Sequence, residues 1–145
     1  MKTNFFETEI TYRVCYADTD QMKYVYHANY LRFFEIGRVE AIRSLGITYK
    51  DMESAGVMMP VMQLDIKFIR PAFYDDLITI KTMIHAYPEN KLELIFHQEV
   101  YNENNKLLTK ATIQLCYIDA VTYKRIEIPP ILYNIFEKIK LLSNN

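Results

Sequence analysis

A chain of 145 residues that is 50% hydrophobic and 24% charged fits a single globular domain, residues 1–145, and excludes a disordered one. Its net charge of −1 argues against the basic footprint of a nucleic-acid binder. It contains no apolar run of about 18 residues, so no membrane-spanning helix is expected.

The start, Met1-Lys2-Thr3-Asn4 followed by Phe5-Phe6-Glu7, is too short an apolar run for a secretory leader. The two cysteines, Cys15 and Cys116, lie in strand-like segments without metal or redox spacing. They read as buried free thiols of a reducing compartment, which points to the cytoplasm. A disulfide is the alternative.

The first element is a strand over Phe5–Tyr16. Ile10, Tyr12, Val14 and Tyr16 are expected on its buried side, and Thr11, Arg13 and Cys15 on the other. A polar loop, Ala17 to Lys23, leads to a helix from His27 or Ala28 to Leu45, ended by Gly46. Tyr30, Phe33, Phe34, Gly37, Ala41 and Leu45 share one helical face. Leu31, Ile36, Val39 and Ile42 extend the apolar surface around most of the circumference, the mark of a buried helix. A short second helix spans Thr48–Ala55 and stops at Gly56.

Four strands follow: Met59–Ile69, Leu77–Tyr87, Lys91–Tyr101 and Lys106–Asp119. Their short connections predict antiparallel hairpins. Pro129-Pro130 suits the first turn of a closing helix, Ile131–Leu142. One sheet must cover one central helix, an α+β architecture. A sheet covered on one face leaves edges free, so a homodimer or homotetramer, with strands paired edge to edge, is expected.

The chemistry concentrates between Arg13 and Arg38, with Arg13-Val14, Asp18-Thr19-Asp20, Val25-Tyr26-His27, Tyr30 and Phe33-Phe34-Glu35 followed by Arg38. Here the sequence resembles the 4-hydroxybenzoyl-CoA thioesterase family, and within it the thioesterases associated with the Tol–Pal system. The turn Arg70-Pro71-Ala72 with Tyr74-Asp75-Asp76 adds to the likeness, which covers almost the whole chain. The resemblance implies a hot-dog fold: a five-stranded antiparallel sheet wrapped around one long helix, with a C-terminal helix. It implies an acyl-CoA thioesterase with Asp20 as nucleophile or general base and a backbone N–H near His27 as oxyanion donor. The His27 side chain would orient thioester or water, and Tyr16 would hydrogen-bond the carboxylate or line the pocket. Lys23 stands where the family usually carries glycine, so loop geometry and substrate choice are open there.

The residues also allow plainer readings. An aspartate before a helix is commonly a cap or turn former, and Asp18 is read so. Glu35, inside the helix, is read as the partner of Arg38 at i+3; in other hot-dog thioesterases the catalytic carboxylate lies at such a position. Lys67, Arg70 and Arg125 are candidates for CoA phosphates. His85 and His97 have no further ligand at metal spacing, so neither metal nor organic cofactor is expected.

Acyl-CoA is the expected substrate partner, with an acyl carrier protein as a second candidate carrier. The competing functions are a hot-dog protein that binds an acyl thioester without cleaving it, and a dehydratase of the same fold, whose His and acid pattern is not found.

Overall fold

The computed structural model describes residues 3–144, so Met1 and Lys2, read above for a leader, lie outside it. The elements in chain order are β1 (Phe6–Arg13), a 3₁₀ turn (Tyr16–Asp18), α1 (Asn29–Ser44), α2 (Tyr49–Ser54), β2 (Val57–Met58), β3 (Val61–Phe68), β4 (Leu77–Ile84), β5 (Glu93–Tyr101), β6 (Leu107–Asp119), β7 (Arg125–Ile126) and α3 (Pro130–Ser143). The caps follow local chemistry. Thr48 and Asp51 close a reciprocal capping box on α2. Gly46 and Gly56 take φ of +95° and +85° to end α1 and α2, a region open to glycine at little cost.

The five long strands run in the order β1-β4-β5-β6-β3, all antiparallel. The hot-dog architecture is present, with two additions: β2 and β7, of two residues each, pair on opposite sides of Ile118 and bring the sheet to seven strands. The expected β3–β4 hairpin does not form. β3 pairs with β6, and the connection from Ile69 to Asp76 carries the chain across the sheet end to β4, beside β1. Alternation reports which face a residue takes, not which strand lies next to it.

Helix α1 lies on the concave face. Tyr30, Phe33, Phe34, Gly37, Ala41 and Ile42 are buried under it. Gly37 sets how closely helix and sheet approach: a Cβ there would sit 2.7 Å from Thr82 Oγ1 and 2.9 Å from Gln98 Nε2. Gln98 joins the layers by donating to the Phe34 carbonyl (2.9 Å) and to Thr82 Oγ1 (2.8 Å). The helix is not buried all round, because Leu31 is 45% exposed on the side toward β3. β3 is itself exposed on both faces, Val61, Leu64 and Phe68 included. A trough of about 760 Å³ separates the two elements, with Leu31, Phe34, Val39, Met59 and Leu64 in its walls.

Two expectations about strand ends also change. β1 stops at Arg13, and the 3₁₀ turn rotates Tyr16 out of the strand's register, so that its ring faces solvent rather than the core. No helix among the described residues is long and apolar enough to cross a membrane.

On the outer face His85, just past β4, stacks on His97 of β5, with ring centroids 3.6 Å apart and planes within 1°. Burial, and then the neighbouring His85, hold the His97 pKa below its ordinary 6.5, against the opposing pull of Glu99. The unfolded chain therefore takes up the proton first. Stability is full above pH 6.5 and falls as pH drops through that value toward the lower folded pKa. Melting temperatures between about pH 5 and 8 check this: the wild-type curve should fall on the acid side, and that of His97→Gln should be flatter.

Candidate active site

The loop before α1 is built around Asp18. Its side chain is 2% exposed and ion-paired with Arg32. Oδ2 accepts from Tyr12 Oη and from the Cys15 N–H, both at 2.8 Å. The Asp18 carbonyl accepts from Asn29 Nδ2 (2.8 Å) and the Tyr26 N–H (2.9 Å). One buried carboxylate thus ties β1, the loop and the first turn of α1 together, which is the structural role read for it.

Asp20 is held differently. Its Oδ1 accepts from the Met22 N–H at 2.8 Å, an Asx-type turn, while Oδ2 takes no hydrogen bond from the described residues. The turn closes through Lys23 N–H to the Asp20 carbonyl and Asp20 N–H to the Tyr24 carbonyl, both 3.0 Å. Lys23 adopts φ +69°, the left-handed conformation for which glycine is the usual residue. The lysine is accommodated there, exposed.

The loop is then fixed to the β3–β4 connection, with Val25 N–H donating to the Ala72 carbonyl at 2.8 Å and Tyr24 bridging Phe73. These contacts shape an open groove of about 390 Å³ in which Asp20 and His27 meet Tyr24, Tyr30, Phe68 and Arg70. His27 is exposed, its ring edge-on to Phe68 at 6.3 Å. Helix α1 begins beside it without a side-chain cap, at Ala28. Among the described residues neither the His27 nor the Ala28 N–H donates to another group. Unpaired amides and the helix dipole at this end favour negative charge.

The structure therefore gathers Asp20 and His27 into one groove. Tyr16 is not in its lining. Its ring stacks on Tyr74, and the Asp20 carboxylate draws its hydrogen bond from Met22 instead. Glu35 and Arg38 do not form the expected ion pair. Arg38 turns inward, 8% exposed, and donates Nη1 to Gln98 Oε1 at 3.1 Å; it borders the trough together with Glu35, which stays exposed. The i+3 step around α1 puts the arginine on the sheet side and leaves the glutamate outside.

Of the three candidate phosphate-binding cations, Arg70 borders the groove, its Nη1 donating to the Leu107 carbonyl at 2.9 Å. Lys67 points to the outer face of the sheet. Arg125 pairs with Ile118, at the far end of β6 from the Phe68–Thr109 pair, roughly 30 Å away at strand rise. Phe68 was not anticipated as a site residue. It is the last inward position of an alternating strand, next to the Arg70-Pro71 turn, and only the crossing of the sheet end brings it to His27. Among the described residues no group of three or more His, Cys, Asp or Glu is placed to hold a metal ion.

The model of the thioesterase-like superfamily matches residues 14–136. The chain belongs to this superfamily. It is a hot-dog protein of the thioester hydrolase class. It is 37% identical over 130 residues to the putative acyl-CoA thioesterase YneP of Bacillus subtilis, covering 88% of this chain and 93% of that one. It is 30% identical over 129 residues to the acyl-CoA thioester hydrolase YbgC of Escherichia coli O6:H1, covering 89% and 93%. A solved structure of a DHNA-CoA thioesterase from Staphylococcus aureus superposes with a TM-score of 0.87 at 30% identity, covering 96% of this chain and 94% of that one.

Proposed function

We propose that this member hydrolyses an acyl-CoA to the free acid and CoA, with Asp20 as the reacting carboxylate. One observation carries the reading: the open Oδ2 of Asp20 shares a groove with His27, whose backbone amide is unpaired at the start of α1. A thioester carbon between them would meet an oxygen on one side and an N–H donor for its carbonyl oxygen on the other.

Two courses use the same atoms. In the first, Asp20 attacks the carbonyl carbon, the C–S bond breaks to release the CoA thiolate, and water cleaves the resulting anhydride. In the second, Asp20 takes a proton from water as the water oxygen attacks, and the thiolate leaves. The negative charge on the carbonyl oxygen falls to the His27 amide in both. His27 orients the thioester or the water from the groove wall. Tyr16 has no part in bond breaking.

The open Oδ2 beside the unpaired His27 amide favours cleavage over binding alone. Free-thiol release from a panel of acyl-CoA and acyl-carrier-protein thioesters tests the reading. Turnover of at least one acyl-CoA is expected without added metal or cofactor. Tight binding with no turnover of any member would favour the binding-only protein.

The protein works as a homodimer or a dimer of dimers joined through β3. The exposed apolar residues on both faces of this edge strand, and the trough beside it, support this. Light scattering at micromolar concentration should give a dimer or tetramer, and a fully active monomer would contradict it. Cys116 is buried as expected, whereas Cys15 lies past the end of β1 and is exposed; both are free thiols, which fits a reducing cytoplasm.

A further inference from the structure

The loop that carries Asp20 and the β3–β4 connection together present an aromatic pair that the hydrolysis leaves unused. Tyr16 and Tyr74 stack with ring centroids 4.0 Å apart and planes within 10°. Tyr16 is 76% exposed and Tyr74 44%, so the outer face of the Tyr16 ring meets water. Aromatic side chains usually bury most of their area, whereas this pair holds a flat π-face open to a further ring.

The stack is tied to the site from both sides. The Tyr16 carbonyl accepts from the Thr19 N–H (3.1 Å) and from Thr19 Oγ1 (2.9 Å), next to Asp20. Tyr74 follows Phe73, whose backbone bridges Tyr24 and whose ring stands edge-on to that groove residue at 6.2 Å. One cation borders the pair and a second stands on the neighbouring Asp20 turn. Arg13 Nη1 donates to the Asp75 carbonyl, beside Tyr74, at 2.8 Å. Lys23 stands exposed on the Asp20 turn.

We propose that the open face of the Tyr16–Tyr74 stack receives the adenine ring of the CoA carrier, with Arg13 and Lys23 meeting its phosphates. This rests on the acyl-CoA reading above and names the part of the substrate read outside the groove. Adenine is a flat, uncharged π-system joined to anionic phosphates. A flat aromatic platform bordered by a cation matches both halves, because base–aromatic stacking needs no charge on the base and cations suit phosphates. A lipid surface or an apolar peptide would use exposed rings in any orientation and gives no reason for a parallel pair.

The test compares two substrates with one acyl group. A short acyl-CoA carries the nucleotide, and the N-acetylcysteamine thioester lacks it. Wild type, Tyr16→Ala, Tyr74→Ala and Tyr16→Phe are measured, with calorimetric titration of adenosine bisphosphate as the nucleotide without the thioester. Each alanine variant should raise KM for acyl-CoA about tenfold with kcat kept, the effect of losing a base–aromatic stack. The N-acetylcysteamine thioester should show no change, Tyr16→Phe should match wild type, and adenosine bisphosphate should bind the alanine variants about tenfold more weakly.

Unchanged KM and unchanged nucleotide binding would overturn the proposal. So would equal KM increases on both substrates, which would place the stack at the acyl end or in the fold. If wild type cleaves neither thioester while nucleotide binding still depends on Tyr16, the hydrolase reading fails and the adenine seat stands.

Discussion

Asp20→Asn is expected to lose about a hundred- to ten-thousand-fold in kcat if the carboxylate acts as a base, and more if it is the nucleophile. Asparagine is nearly isosteric, and its side-chain carbonyl can keep the hydrogen bond from the Met22 N–H that shapes the turn. The groove should therefore persist and substrate should still bind. The amide carries no negative charge, so it neither attacks a thioester carbon readily nor accepts a proton from water near neutral pH. Equilibrium binding of a non-hydrolysable acyl-CoA thioether separates the two properties: affinity within a few-fold of wild type, with turnover lost. A variant that has lost binding and turnover together would mean that Asp20 only shapes the groove.

Asp18→Asn should show the reverse profile, a large loss of stability. Oδ1 faces Arg32, while Oδ2 accepts from Tyr12 Oη and the Cys15 N–H. Either orientation of an amide turns an NH₂ group toward one of these donors, and the charge that pairs Arg32 is gone. Hydrogen bonds to a buried charged group contribute about 1.5–3 kcal/mol each. Arg32 is half exposed and recovers water, so the net loss should be about 3 kcal/mol, roughly 10 °C in melting temperature for a domain of this size. Thermal melts of the two variants side by side provide the check. An Asp18→Asn protein that melts with wild type would show that the loop is held by its backbone contacts alone.

The two aspartates show how far a sequence reading reaches. Both stand in one polar turn, two positions apart, and alternation says nothing about which is buried. The assignment of chemistry to Asp20 came from resemblance. The structure adds a physical difference: one carboxylate is enclosed by three donors and the other keeps an oxygen open.

Elements with a strong local signal were legible. α1 ends at a glycine of positive φ, α2 starts at a Thr48–Asp51 capping box, and α3 follows paired prolines. Features decided by distant chain were not. The pairing of β3 with β6 depends on a crossing that no short turn announces. β2 and β7 are too short to show a period. The outward turn of Tyr16 follows from where β1 stops, and the inward turn of Arg38 from which side of α1 the sheet covers.

The central claim is that Asp20, rather than the helix carboxylate Glu35, carries thioester cleavage. The most direct measurement is kcat for free-thiol release from one reactive short acyl-CoA by Asp20→Asn and Glu35→Gln, assayed together with melting curves as the folding control. The predicted result is a loss of about a hundredfold or more for Asp20→Asn, with Glu35→Gln within a few-fold of wild type, since Glu35 stands exposed in the trough, outside the groove. The contradicting result is a folded Asp20→Asn that keeps more than about a tenth of wild-type kcat, a loss below roughly 1.4 kcal/mol. If Glu35→Gln is the inactive variant, the reaction must be redrawn around the helix carboxylate.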